Sequence, residues 1–157
     1  MPTPYNEKEC GASLPCGMGI MSIHFPKKRI LTIDDEVDSL LFYRFALRDF
    51  YAVQGVQNNA QALNLLRKRH FSLIISDVKR AGGDGIELLL HVMDHPEVFP
   101  RKILFCSVWM YRSVGDLKQV LRRPHDLLVG MMSKPFKAHQ LRRNIIKMLN
   151  GVAPCDI

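Results

Sequence analysis

Several absences narrow the chain before any motif does. None of its apolar runs approaches the roughly 20 residues that a helix needs to cross a bilayer, so no membrane span is expected. The first residues carry neither the basic start nor the long apolar region of a secretory signal. Cysteine is sparse: Cys10, Cys16, Cys106 and Cys155 are the only four among 157 residues. That is not a disulfide framework, and the Cys10/Cys16 spacing, with only His24 downstream, fits no common zinc pattern. A cytoplasmic location follows as the expectation. There is no P-loop and no glycine-rich dinucleotide fingerprint after a strand, which removes the commonest nucleotide-binding readings. Acidic residues are the minority, 15 against 22 Lys and Arg, for a net charge of +7. The basic residues fall in short separate groups such as Lys27-Lys28-Arg29, Arg67-Lys68-Arg69 and Arg142-Arg143, without a recognition motif or interleaved aromatics. Solvated helix faces account for them, and no direct nucleic-acid partner is expected.

What is present is a chain of single-domain length, 47% hydrophobic, with enough apolar residues to build a core. Residues 1–25 mix Pro, Gly, Ser and Cys without a period and read as a flexible extension, within which Met21 is a second possible start. Residues 26–150 read as the folded domain and 151–157 as a tail. Strand-like runs alternate with helical patterns in the domain. Helices are marked by Val37, Leu40, Leu41 and Phe45; by Ala62, Leu63 and Leu66, capped by Asn58 or Asn59; by Ile86, Leu89, Leu90 and Met93; by Val114, Leu117 and Leu121; and by Leu141, Ile145 and Leu149. The second strand is expected at Tyr51 to Val56. Five βα units imply an α/β fold, a doubly wound parallel sheet, and four of the strands are apolar enough to be covered on both faces.

The chemistry gathers where strands end. Arg29 to Ile33 runs into Asp34-Asp35-Glu36, Phe71 to Ser76 into Asp77, Ile103 to Cys106 into Ser107, and Leu127 to Ser133 into Lys134-Pro135-Phe136. Ligands of open parallel sheets bind at the strands' carboxyl ends, so these groups would converge on one site. Clustered carboxylates repel one another unless a cation is shared, and oxygen-only ligation with few carboxylates suits Mg²⁺. Read alone, Asp34-Asp35-Glu36 is merely an acidic helix N-terminus favoured by the dipole; Asp77 makes the metal reading the better one.

The order of these residues resembles the receiver domain of two-component response regulators over about Arg29 to Asn150, and the five motifs in order make that resemblance specific. It implies a flavodoxin-like five-stranded sheet of order 2-1-3-4-5 with five helices, and a switch point between the first and third strands. It also implies that Asp77 is the phosphoacceptor, attacking a phosphohistidine or small phosphodonor to form an acyl phosphate. Lys134 and Ser107 would contact phosphoryl oxygens. Asp35 and Asp77 would bind Mg²⁺ directly, Asp34 through water, and Lys79 through its backbone carbonyl. Lys134-Pro135 would be a cis bond. The implied partners are a histidine kinase or a histidine phosphotransfer protein, an unidentified downstream protein bound around the fourth strand, fourth helix and fifth strand, and no membrane; a homodimer is compatible. The chain ends soon after the fifth helix, so no output domain is expected.

Departures from the family pattern are informative. Arg80-Ala81 stands where Met-Pro is frequent. Met131 takes the switch position where many receivers have Tyr or Phe, and its flexibility suits a softer repacking. Lys79 and Trp109 lie at positions that tune water access to the phosphoryl group. Asp84 is expected to cap the third helix and Gly85 to supply a left-handed turn. Two rival readings are an aspartate-nucleophile, Mg²⁺-dependent phosphohydrolase and a receiver-fold binding module independent of phosphorylation. The first needs a second Asp two residues after the nucleophile, where this chain has Lys79.

Overall fold

The computed structural model describes residues 26–80, 83–108, 117–122 and 125–152. The expectations for residues 1–25, for Trp109 and Val114, and for the tail beyond Val152 lie outside these. β1 (Arg29–Ile33), α1 (Val37–Leu47), β2 (Ala52–Val56), α2 (Asn59–Lys68), β3 (Leu73–Ser76), α3 (Gly85–Asp94) and β4 (Lys102–Ser107) alternate along the chain. A helical stretch over residues 117–120, α4, then β5 (Leu128–Ser133) and α5 (Ala138–Leu149) complete it. The sheet is five-stranded, ordered β2-β1-β3-β4-β5, and every pairing is parallel. This is the flavodoxin-like order, whose crevice opens between β1 and β3.

Strand side chains alternate between faces, and the alternation builds two cores. Leu31, Ile33, Ile74, Phe105, Val129 and Met131 pack with α2, α3 and Leu117 of α4 on one face. Ile30, Leu73, Ile75, Leu104, Cys106 and Met132 pack with Tyr43 and Leu47 of α1 and Leu141, Ile145 and Met148 of α5 on the other. Helix starts follow local chemistry. The Asn58 side chain accepts from the Gln61 amide at 2.9 Å, and that of Asp84 from the Ile86 amide at 2.8 Å, so both orphan donors are satisfied.

Three expectations are corrected. α1 turns Leu40, Tyr43, Ala46 and Leu47 inward, while Val37, Leu41 and Phe45 are 56%, 44% and 61% exposed. The helix is apolar nearly all round, so its period marks two stripes and only tertiary packing chooses one. α3 is rotated in the same sense: Gly85, Leu88, Leu89 and Val92 are its buried residues, with Ile86 and Met93 partly covered. Gly85 does not take a left-handed conformation; that belongs to Gly83, at φ 113°. Gly85 is needed for space, because a Cβ there would stand 2.6 Å from the carbonyl oxygen of Asp77.

Candidate functional site

The site lies at the carboxyl ends of β1, β3, β4 and β5. Asp34 follows β1, and its amide donates to the carbonyl of Val56 on β2 at 3.1 Å; Asp77 follows β3, and its amide donates to Ile33 at 3.0 Å. Sheet hydrogen bonding therefore continues past both strands and sets the two carboxylates side by side. Lys134 follows β5. Its amide donates to the carbonyl of Ser107 at 3.0 Å, locking the ends of β4 and β5 together, and the Lys134–Pro135 bond is cis.

The Lys134 ammonium bridges the carboxylates, donating to Asp34 Oδ2 at 2.7 Å and Asp77 Oδ2 at 3.0 Å, with Ser39 Oγ at 3.4 Å. Asp34 is fully buried. Its Oδ1 accepts from the Glu36 amide at 3.1 Å, and its Oδ2 also accepts from the Tyr43 hydroxyl at 3.4 Å. Burial raises the Asp34 carboxyl above its ordinary value, against the opposing pull of Lys134 and the Glu36 amide. Burial alone would lower the Lys134 ammonium, but its hydrogen bonds and charge interactions with Asp34 and Asp77 win and raise it. Around them, Tyr43 is pushed up by burial, and the Cys106 thiol, wholly buried, is pushed up to about 12.

Asp77 Oδ1 accepts from the Lys79 amide at 3.3 Å. The Lys79 side chain turns away to the α3 cap, where its Nζ meets Asp84 Oδ2 at 2.6 Å. Ser107 is buried at the end of β4. Met131 is buried too, in register with Phe105. Asp34, Asp77 and Lys134 are thus brought together. Asp35 is half-buried, and its carbonyl accepts from Gln57 Nε2 at 3.3 Å. Sequence reasoning missed Ser39, Tyr43, Asn59 and the contacts of Arg80, because each acts through a partner on a different segment. A cavity of about 270 Å³ flanks the site, lined by Ser39, Phe42, Tyr43, Lys134, Pro135 and Phe136 among others.

Among the described residues no three His, Cys, Asp or Glu side chains converge to hold a metal by themselves. The donors still fit a hard cation. Asp34 and Asp77 already direct oxygens at one shared positive charge, that of Lys134, and Mg²⁺ is usually held by one or two carboxylates plus water and phosphoryl oxygens.

A family model described as response regulator receiver domain matches residues 30–146. The chain is 32% identical over 124 residues to the response regulator receiver protein CpdR of Brucella abortus, covering 78% of this chain and 97% of that protein. It is 25% identical over 122 residues to chemotaxis protein CheY-3 of Vibrio cholerae, covering 76% and 90%. In fold it is similar to a CheY-like receiver domain from Methanospirillum hungatei, at TM-score 0.67 and 21% identity over 80% of this chain and 95% of that one.

Proposed function

Because the chain belongs to the response regulator receiver family, a family of phosphoacceptor signalling domains rather than classical enzymes, we propose that Asp77 is its phosphoacceptor and that Lys134 and Ser107 complete the site. The observation that carries this reading is the Lys134 ammonium, bonded to both Asp34 and Asp77 at the strand ends. An Asp77 carboxylate oxygen attacks the phosphorus of a phosphohistidine. The O–P bond of an acyl phosphate forms, the P–N bond breaks, and its electron pair returns to the imidazole of the donor. Little covalent work falls to the protein; positioning and charge neutralisation are its contribution. Lys134, freed from its bridge to Asp77, follows the charge onto the phosphoryl oxygens, and Ser107 donates a hydrogen bond to another.

Receiver domains generally bind Mg²⁺ at their acidic pocket. Here Asp35 and Asp77, Asp34 through water and the carbonyl of Lys79 would hold it, and when bound it neutralises charge on the transferring group. Histidine kinases or phosphotransfer proteins are the donors, and the output surface is that around β4, α4 and β5. The cytoplasm, where such donors act, is the proposed location; no helix among the described residues is long and apolar enough to cross a membrane.

The test is intact-protein mass spectrometry after incubation with a small acyl-phosphate donor and Mg²⁺. Wild-type protein should gain one phosphoryl group and Asp77→Asn none, because the amide keeps the shape but is not a nucleophile. Lys134→Ala should still be modified, more slowly. If wild-type protein takes no phosphoryl group from a small donor or from a panel of histidine kinases, a binding module independent of phosphorylation becomes the better account.

A further inference from the structure

Arg80 is a cation that the reading above leaves unused. Its Nε donates to the carbonyl oxygen of Asp77 at 3.0 Å, and its Nη2 donates to Asn59 Oδ1 at 2.9 Å and Ser76 Oγ at 3.1 Å. Asn59, at the start of α2, donates in turn to the carbonyl of Asp84 at 3.0 Å. The guanidinium is therefore gripped from β3, from α2 and from the loop that carries the phosphoacceptor. Its Nη1 is buried and has no hydrogen-bond partner among the described residues. A guanidinium does not shed its proton, and burying one with a donor unmet is costly. Hydrogen bonds do not saturate this charge, so charge of opposite sign must help to hold it. Burial is the largest influence and lowers Arg80 below its ordinary value, while Asp77, Asp34, Asp35 and Asp84 work for the charged form without fully offsetting it. Asp84 already has Lys79. The carboxylates left for Arg80 are those of the site itself, which Lys134 neutralises only in part.

We propose that Arg80 is a built-in counter-cation of the acidic site: it holds the carboxylates together when no metal is bound and weakens their affinity for a divalent cation. This rests on the magnesium reading of Asp34, Asp35 and Asp77. The physical basis is that a fixed positive charge in partly dry surroundings repels Mg²⁺ through the same field that attracts the carboxylates.

Calorimetric Mg²⁺ titration and thermal unfolding with and without Mg²⁺, on the full chain at low ionic strength, test this. Arg80→Gln and Arg80→Met remove the charge; Arg80→Lys keeps it and gives up the fork of hydrogen bonds. Both neutral variants should bind Mg²⁺ about tenfold more tightly than wild type and gain more thermal stability from it, while Arg80→Lys stays near wild type. Equal affinity in all four proteins overturns the inference and leaves the magnesium reading standing. Tightening in Arg80→Lys equal to that in Arg80→Gln also overturns it, because the brace and not the charge would then matter. Absence of Mg²⁺ binding in every protein overturns the magnesium reading and this inference with it. Should Gln leave its own amide stranded and fail to fold, Met needs no partner and carries the test. Neutral variants that fold only with saturating Mg²⁺ would support the role of Arg80 in the metal-free protein, whereas failure to fold even then would make Arg80 a structural brace and end the proposal.

Discussion

Lys134 gains more from folding than it loses by burial. Burial disfavours its charge, yet Asp34 and Asp77 lift its folded-state value above the ordinary 10.5. A cation bound more tightly when folded contributes stability that is fully present below that ordinary value and disappears as the pH rises through the higher, folded one. Asp34 shifts in the same direction for a different reason, since its charged form is the one that folding disfavours. Burial raises it above 3.8, so its ionisation costs stability as the pH rises through the folded value, and Lys134 offsets that cost. Lys134→Ala should therefore destabilise the metal-free protein at neutral pH by about 3–5 kcal/mol, as removal of one partner from a buried pair does. Its alkaline loss of stability should be smaller than that of wild type. Urea unfolding at neutral pH and above pH 10.5 checks both, and an unchanged neutral midpoint would mean that the bridge contributes nothing net. The groups of this bridge could be read from sequence because each is a charged residue at the exit of an apolar run. Arg80 and Asn59 could not, since they meet across 21 positions, and nothing local to either marks the other. Gly85 was misread for a similar reason: the demand on it is the nearness of the Asp77 carbonyl, a tertiary fact, and a glycine in a loop signals a left-handed turn just as well.

α1 shows what periodicity decides and what it leaves open. Its position between Asp35 and β2 is plain from the sequence, and so is its helical character. The inward face is not, because Val37, Leu41 and Phe45 form one apolar stripe and Leu40, Tyr43 and Leu47 another. The second wins because it carries Tyr43 to Asp34 and to the ring of Phe136, whose centroid lies 6.4 Å away in a stacked arrangement. Unfolding energetics should report the difference sharply. Leu47→Ala removes a side chain with no exposure and should cost about 2–5 kcal/mol. Leu41→Lys and Phe45→Lys, each on the outer stripe, should change stability by about 0.5 kcal/mol or less. A large loss in either lysine variant would mean that the outer stripe is covered in solution. The strands were easier to place: β1, β3 and β4 are continuous apolar runs, and such runs belong to strands covered on both faces. β2, half-exposed at the sheet edge, is expected at Tyr51 to Val56 and forms at Ala52–Val56, one residue shorter.

At the scale of the molecule, the sheet divides the interior into two cores that meet the site differently. On the α1/α5 side the rings of Phe42, Tyr43 and Phe136 interlock at centroid distances of 5.8 to 6.4 Å, an arrangement that resists small displacements. On the other side Met131, in register with Phe105, packs in one cluster with Leu117, Leu127 and Val129, and a methionine repacks at little cost. A phosphoryl group on Asp77, the proposed acceptor, would replace the single charge of its carboxylate with about two, a net gain of about one negative charge beside Lys134, whose amide is tied to Ser107 at the end of β4. A pull on either residue moves both strand ends, and the softer core yields first. Phosphorylation should therefore alter amide hydrogen exchange in β4, β5 and the helical segment at residues 117–120, and leave the inner faces of α1 and α5 near their unmodified rates. Lys134→Ala, modified at Asp77, should show a much smaller change in the same segments, since the charge would then act without its link to β5. Comparable changes on both sides of the sheet would mean that the response is not routed through Met131. A change confined to α1 and α5 would place the output surface on the opposite face of the domain.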